Sequence, residues 1–494
     1  MKLRAVVFAG MFTGAVLAAE RPNVIFLLCD DLGYADVGYM QKKQPVGSAG
    51  VRIATPNLDA LAARAAVLTD HYCAAPVCAP SRASIMTGRL QRECSLQHNQ
   101  FDKPIAETKT LGTVMKAAGY ETYAVGKWGI GGGGESGYPV TAHPLDRGFD
   151  HYYGFMDHRA GHTYYHWDGY WGHAYMGVWE DRVKATETAA GRYSTDLFIA
   201  RAKKYIETQL ADVERKDNPF FMYLAINAIH GSGQGHLNPT LPAGRKQNLH
   251  VPGVPYRAHR NDDGTVMWPI PAEPAEVRNT YKYDGPACST NYYGAVASDA
   301  AKRYAAGITR LDEAVGDLVD FLKEQGIDRN TIIIFTSDNG PAAEYGADPA
   351  FFRSNGRFYG KKRDVYEGGM RIPAFVYWPG RTENSGEIDA PSISCDWLAA
   401  LERLGREPDR VPIPESKELS SLYHSVFPAS YDGVFLKSDG TPSEVQRPTG
   451  GLQHWERKGT TVYLQAGGKD RPVYVFEDIN GLNIHQDHPS CMQP

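Results

Sequence analysis

The sequence predicts an α/β fold: a large, mostly parallel sheet flanked by helices, followed by a smaller α+β subdomain. Three observations carry this. Short apolar runs such as Val24-Ile25-Phe26-Leu27-Leu28 lack polar alternation, as expected of strands buried on both faces. Helical patterns separate these runs, the arrangement that yields a parallel sheet. Polar residues follow the carboxyl end of strand after strand, the edge at which open α/β sheets bind ligands.

The elements follow in chain order. The first strand, Val24 to Leu28, ends at Asp30-Asp31. Thr55-Pro56 opens a helix, with Thr as N-cap and Pro at the first position. A helix over 80–88 starts beside Cys78, so its free N–H groups and dipole favour an anion there. Another helix runs from about Leu111 to Ala118, capped by Thr110 and ended by Gly119. A strand near Thr122 to Val125 leads into Gly126-Lys127-Trp128, and one from Phe220 to Ile226 leads to His230. Ile308, Leu311, Val315, Leu318 and Leu322 recur by three and four, marking an amphipathic helix. It feeds the strand Thr331 to Phe335, which ends in Thr336-Ser337-Asp338-Asn339-Gly340.

The length of 494 residues exceeds one ordinary core. The expected division is a segment 1–19, a main domain over 20–408 and a C-terminal subdomain over 409–494. Met1-Lys2-Leu3-Arg4, the apolar stretch Ala5 to Ala18 and a small-residue cleavage site read as a secretory signal peptide. A soluble, secreted or periplasmic protein is expected, with no later segment apolar enough to span a bilayer. A net charge of -5 carries no nucleic-acid or membrane signature. Of seven cysteines, Cys29 reads as a buried thiol, and zero to two disulfides are expected among those other than Cys78. Residues 130–175 and 231–290 read as long irregular stretches, a length that points to function or disorder.

Two oxygen-rich pairs, Asp30-Asp31 and Asp338-Asn339, sit at predicted strand ends, and such donors suit a hard cation such as Ca²⁺. Cys78-Ala79-Pro80-Ser81-Arg82 opens a helix; Lys127 follows a strand; Lys362 lies five residues before Glu367-Gly368-Gly369. In identity and order these segments resemble the type I, formylglycine-dependent sulfatases of the alkaline-phosphatase-like superfamily. Thr55-Pro56-Asn57-Leu58-Asp59 belongs to the same pattern, and the resemblance covers about residues 22 to 400.

The resemblance implies a sulfuric ester hydrolase. Cys78 would be converted to formylglycine (3-oxoalanine) by a formylglycine-generating or anaerobic sulfatase-maturating enzyme. Its hydrate carries two hydroxyls on one carbon. One attacks sulfur, and the other then loses its proton so that sulfate is expelled. Asp30, Asp31, Asp338 and Asn339, with residue 78, would hold Ca²⁺. Arg82 would brace residue 78 and its neighbours, Lys127 and Lys362 would bind sulfate, and His230 would protonate the leaving alcohol. The chain departs from the pattern at Gly129, where the family usually reads Gly-Lys-Trp-His. His162 is the expected replacement, a substrate-binding imidazole from the His-rich loop.

That loop interleaves His151, His158, His162, His166 and His173 with Tyr152, Tyr153, Tyr164, Tyr165, Trp167, Tyr170 and Trp171. Flat aromatic faces with polar tips suit sugar rings, so a sulfated carbohydrate is the expected substrate. The alternatives are a phosphate or phosphonate monoester hydrolase, and a non-catalytic protein that binds sulfated glycans. After about Pro412 the family pattern ends, and Thr460 to Leu464 and Pro472 to Phe476 read as strands.

Overall fold

A computed structural model describes residues 21–42, 53–99, 103–132, 140–158, 160–162, 164, 177–185, 193–230, 299–343 and 349–415, with three strands within 454–473. The expected signal peptide, the stretch 231–290 with Cys288, and Cys491 lie outside the described residues. So do Tyr165, His166, Trp167, Tyr170, Trp171 and His173.

In chain order the strands of the main sheet and its neighbours are β1 Asn23–Cys29, β2 Ala66–Leu68, β3 His71–Tyr72, β4 Glu121–Lys127, β5 His151–Phe155, β6 Val178–Glu180, β7 Val183–Lys184, β8 Phe220–Ala225, β9 Thr331–Ser337, β10 Ala374–Tyr377, β11 Glu387–Ile388 and β12 Ser392–Ile393. Ten of them form one sheet in the order β11-β2-β10-β9-β1-β8-β4-β5-β6-β7. Its centre, β9-β1-β8-β4-β5, is parallel throughout. The flanks add antiparallel pairs at β10 and at β6-β7. The fold is alkaline-phosphatase-like.

The principal helices are α1 Pro56–Ala62, α2 Cys78–Thr87, α3 Leu111–Ala117, α4 Ser194–Ala211, α5 Asp299–Glu324 and α6 Trp397–Arg406. Alternate residues of β1 enter two separate cores because successive side chains of a strand face opposite ways. Ile25 and Leu27 pack with Leu197 and Phe198 of α4 and Ile308 and Leu311 of α5. Val24, Phe26 and Leu28 pack with Ile85 of α2, Leu111 of α3 and Trp397 of α6. The result is a three-layer sandwich with β1 fully dry at its centre.

Local chemistry places the ends. Thr110 caps α3 reciprocally with Thr113, as a capping box does. Pro56 takes the first position of α1, but Thr55 does not cap that helix with its side chain; its Oγ1 accepts from Gly38 N–H and donates to Asp59. The helix expected over 80–88 instead runs from Cys78 to Thr87, because Pro80 is tolerated within a first turn whose N–H groups lack intrahelical partners. β9 runs two residues past Phe335, and β4 reaches Lys127. Much of the stretch expected to be irregular is ordered: His151, Tyr152 and Tyr153 lie in β5, where His151 stacks on Tyr123. These three residues therefore belong to the sheet and not to a sugar-facing loop.

Of the expected C-terminal α+β subdomain, the described residues include an antiparallel meander, β13 His454–Lys458, β14 Thr461–Ala466 and β15 Lys469–Val473. Tyr474 to Phe476 of the last expected strand lie outside the described residues.

Candidate active site

Four parallel strands deliver the site from one edge. β1 ends at Cys29, followed by Asp30 and Asp31; β9 ends at Ser337, followed by Asp338 and Asn339; β4 ends on Lys127; β8 runs on through Asn227 to His230. Backbone pairing continues past the strands: Asp30 N–H donates to Ala228 O at 3.0 Å, Asp338 N–H to Cys29 O at 3.0 Å, and Ile229 N–H to Asp30 O at 2.8 Å. The three strand exits are thereby stapled together, which fixes the carboxylates relative to His230.

Residue 78 enters from the other side, at the first position of α2. The helix is buried along its whole length and stops at Gly88, whose left-handed backbone suits glycine. Ser81 Oγ donates to Asp338 O at 2.5 Å. Arg82 is fully buried, and its guanidinium spans the site: Nε and Nη2 reach Asp338 Oδ2 at 2.9 Å, Nη2 lies 3.4 Å from Asp30 Oδ2, and Nη1 donates to Lys127 O at 3.0 Å. It thus braces the carboxylates beside residue 78 and the strand end that carries Lys127.

Each lysine is tethered to its own carboxylate. Lys127 Nζ lies 2.6 Å from Asp30 Oδ2, and Lys362 Nζ lies 2.8 Å from Asp31 Oδ2. Lys362 Nζ also meets His230 Nε2 at 3.1 Å. Lys361, its neighbour, is exposed and takes no part. Asn339 Nδ2 donates to Asp31 Oδ1 at 2.8 Å. Burial works against the Asp30 charge, yet Lys127 and Arg82 hold that carboxyl well below the usual range. Burial and the Asp30 charge together push Asp338 up to about 7, against the pull of Arg82. Burial pushes the Cys78 thiol up to about 12 despite Lys362 and Lys127.

The donor set fits a hard cation. Asp30 Oδ1 and Asn339 Oδ1 are buried and make no hydrogen bond, an unfavourable state that a coordinated cation would relieve. Ligand atoms of Asp30, Asp31, Cys78 and His230 lie within 4.8 Å of one another.

A sulfatase family model matches residues 22–402. The chain belongs to the sulfatase family. It is 28% identical over 389 residues to arylsulfatase J of Mus musculus, covering 77% of this chain and 52% of that protein. It is 28% identical over 420 residues to N-acetylgalactosamine-6-sulfatase of Mus musculus, covering 80% of this chain and 65% of that one. The chain therefore spans about half to two thirds of these relatives. Its fold is similar to that of Ps i-CgsB, solved in complex with k-i-k-neocarrahexaose, with a TM-score of 0.55, 23% identity, and coverage of 94% of this chain and 88% of the other.

The structure brings together every residue that the sulfatase resemblance singled out: Asp30, Asp31, Cys78, Arg82, Lys127, His230, Asp338, Asn339 and Lys362 share one cluster. His162 adjoins it, with its ring stacked on that of His230 at 4.0 Å and 8°. The place next to Gly129 belongs to another residue. A Cβ at Gly129 would lie 3.0 Å from His158 Nδ1, and that nitrogen is 3.1 Å from Gly129 O. Burial pushes His158 and His162 well below the ordinary histidine range. Ser81 and Tyr164 donate to Asp338 O and His230 O, contacts that the sequence reading did not assign, and Tyr164, expected among the sugar-facing aromatics, is fully buried instead. Nothing in a lone hydroxyl residue signals such a contact before the fold is known.

Among the described residues Cys29, Cys73, Cys78 and Cys94 are free thiols, and Cys29 is buried as expected. No helix among the described residues is long and apolar enough to cross a membrane.

Proposed function

We propose that the protein is an exported, Ca²⁺-dependent sulfuric ester hydrolase that acts on a sulfated carbohydrate, with residue 78 working as formylglycine. One observation carries this reading: Lys127, Lys362 and His230 converge beside Cys78, whose own thiol is held near 12 and is therefore a poor nucleophile at neutral pH. Conversion of residue 78 to an aldehyde hydrate would supply the oxygen nucleophile that the thiol cannot. A Ca²⁺ held by Asp30, Asp31, Asp338 and Asn339 would supply positive charge beside that nucleophile and the ester oxygens.

The protein's own groups do the rest. Lys127 and Lys362 are pinned by Asp30 and Asp31, so their ammonium groups stay aimed without reorganising when an anionic ester arrives. Asp31 and Asp30 keep Lys362 protonated although burial opposes its charge. Arg82 fixes the carboxylates and the Lys127 backbone in one frame. His230 gives a proton to the departing alkoxide as its bond to sulfur breaks, so the alcohol leaves neutral.

A carbohydrate substrate is favoured by the kinship with N-acetylgalactosamine-6-sulfatase and, in the sequence, by the aromatic residues Tyr165, Trp167, Tyr170 and Trp171. Export through residues 1–19 and conversion of Cys78 by a sulfatase-maturating enzyme belong to the same proposal. The test compares 4-nitrophenyl sulfate with 4-nitrophenyl phosphate, using protein co-expressed with a maturating enzyme, and then a panel of sulfated monosaccharides. Sulfate turnover should dominate. Dominant phosphate turnover would make the protein a phosphomonoesterase instead, and glycan binding without turnover by converted protein would make it a binding module.

A further inference from the structure

A general acid works only if it is held in line with the oxygen it protonates. The ring of His230 meets Lys362 Nζ at 3.1 Å and Asp31 Oδ2 at 3.6 Å, both through Nε2 at one edge of the imidazole. A bracket after β5 meets its face. It consists of His158, the single 3-10 turn Ala160–His162, and Tyr164.

The bracket is tied down at several points. Tyr164 Oη donates to His230 O at 2.9 Å, and Ser194 N–H donates to Tyr164 O at 2.9 Å. Asn227 Nδ2 donates to Gly161 O at 3.2 Å, and Asn227 Oδ1 accepts from Ser194 Oγ at 2.7 Å. Gly161 lies directly on the Lys127 stem: a Cβ there would come within 2.5 Å of Lys127 Cδ. On this base the His162 ring lies parallel to the His230 ring, 4.0 Å away. His158 meets His162 edge to face at 5.1 Å and 83°. The same His158 stands where a side chain at position 129 would need to pass.

We propose that this bracket is a positioning device for the acid: His162 holds the His230 ring by face-to-face stacking, and His158 fills the space left at Gly129 and supports His162 from its edge. The proposal rests on the reading of His230 as the acid. It makes His162 a positioning residue. Its chemistry is that of a flat ring, so a phenyl ring should serve in its place.

Leaving-group dependence reads this out. Phenol is a poorer leaving group than 4-nitrophenol, so acid assistance matters more for phenyl sulfate than for 4-nitrophenyl sulfate. His162→Ala in the converted enzyme should lose about 10- to 100-fold in kcat on phenyl sulfate, a part of the full effect of a general acid, and about threefold or less on 4-nitrophenyl sulfate. His162→Phe should stay within about threefold of the parent on both esters, since it keeps the stacked face. Equal losses of His162→Ala on both esters, or no loss on either, would overturn the proposal. If His162→Ala does not fold, His162→Phe decides alone: selective loss on phenyl sulfate overturns the proposal, and retention on both esters supports it. A parent enzyme inert on both esters would instead sink the sulfatase reading, so the two failures are distinct.

Discussion

Arg82→Met tests the frame that holds the site. Methionine keeps much of the length and the apolar stem but removes the charge and all donors. In the native protein the fully buried guanidinium meets Asp338 at 2.9 Å through two nitrogens, lies 3.4 Å from Asp30, and donates to Lys127 O at 3.0 Å. Removing one partner of a buried ion pair costs about 3–5 kcal/mol, because the other charge stays buried. Orphaning the Lys127 carbonyl adds about 1–3 kcal/mol. The two losses share the same relaxation, so about 4–6 kcal/mol is expected, a large part of a typical domain stability of about 5–15 kcal/mol. Denaturant unfolding in EDTA should show this loss relative to the parent. Excess Ca²⁺ should recover part of it, since about 2.7 kcal/mol is available at 100-fold excess over Kd. Arg406→Met is the control: its bond to Glu402 is exposed, and a change within about 0.5 kcal/mol is expected. A loss below about 1 kcal/mol for Arg82→Met would refute the view that this residue holds the carboxylates together.

Four further outcomes are expected. Lys362→Ala should lower turnover at least about 100-fold, whereas Lys361→Ala should stay within about threefold, because only the former reaches Asp31 and His230. Unconverted protein should turn over no ester, and its folded Cys78 should resist iodoacetamide, since a thiol held near 12 is not ionised at neutral pH; converted protein should show a residue-78 peptide lighter by about 18 Da. Chelation of Ca²⁺ should lower the thermal midpoint, and Asn339→Leu should abolish that dependence or weaken it strongly, because Asn339 Oδ1 is one of the buried oxygens awaiting a partner. Finally, His71 is buried between Ser392 and the indole N–H of Trp397, which only donates, so the imidazole is neutral and burial holds it down to about 3. The unfolded state takes up a proton first, so stability is complete above about 6.5 and declines as pH falls from there to about 3, by at most about 4–5 kcal/mol. A His71→Gln variant should show a flatter acid limb; an unchanged limb would remove His71 as its cause.

The sequence made the core strands legible because they are buried on both faces and carry uninterrupted apolar runs, as at Ile332 to Phe335. Asp30 and Asp338 were legible because they stand just past such runs, at the ends of β1 and β9, whereas Cys78, Arg82, Lys127 and Lys362 were picked out by the family motifs that carry them. The start of α2 was misplaced by two residues because Pro80 reads as a first helical residue, yet it sits two positions inside a tolerant first turn. The bracket was harder to see. His158 and His162 stand in a stretch dense with histidines and aromatics, and neither periodicity nor spacing says which ring meets Gly129 and which meets His230. That depends on the left-handed turn at Gly129, with φ +69°, and on the close passage of Gly161 over Lys127. The edge strands β6, β7 and β11 were also missed, being only two or three residues long.

The charges in the cluster explain why a metal is expected to govern binding as well as stability. Asp30, Asp31 and Asp338 are matched formally by Arg82, Lys127 and Lys362, all of them buried. With all three carboxylates ionised, an ester anion entering this cluster would meet little net charge, because each ammonium is already paired with a carboxylate. Asp338 shows the same balance from inside: burial and the Asp30 charge push it up to about 7 even though Arg82 touches it. A divalent cation on Asp30, Asp31, Asp338 and Asn339 would tip the cluster positive and bring Asp338 back to its ionised form. The lysines would then be tethered by carboxylates whose charge is already shared, leaving their N–H groups more available to the ester. The pairing that stabilises the site in the absence of metal is the same pairing that should keep it weakly attractive to anions until the metal is bound.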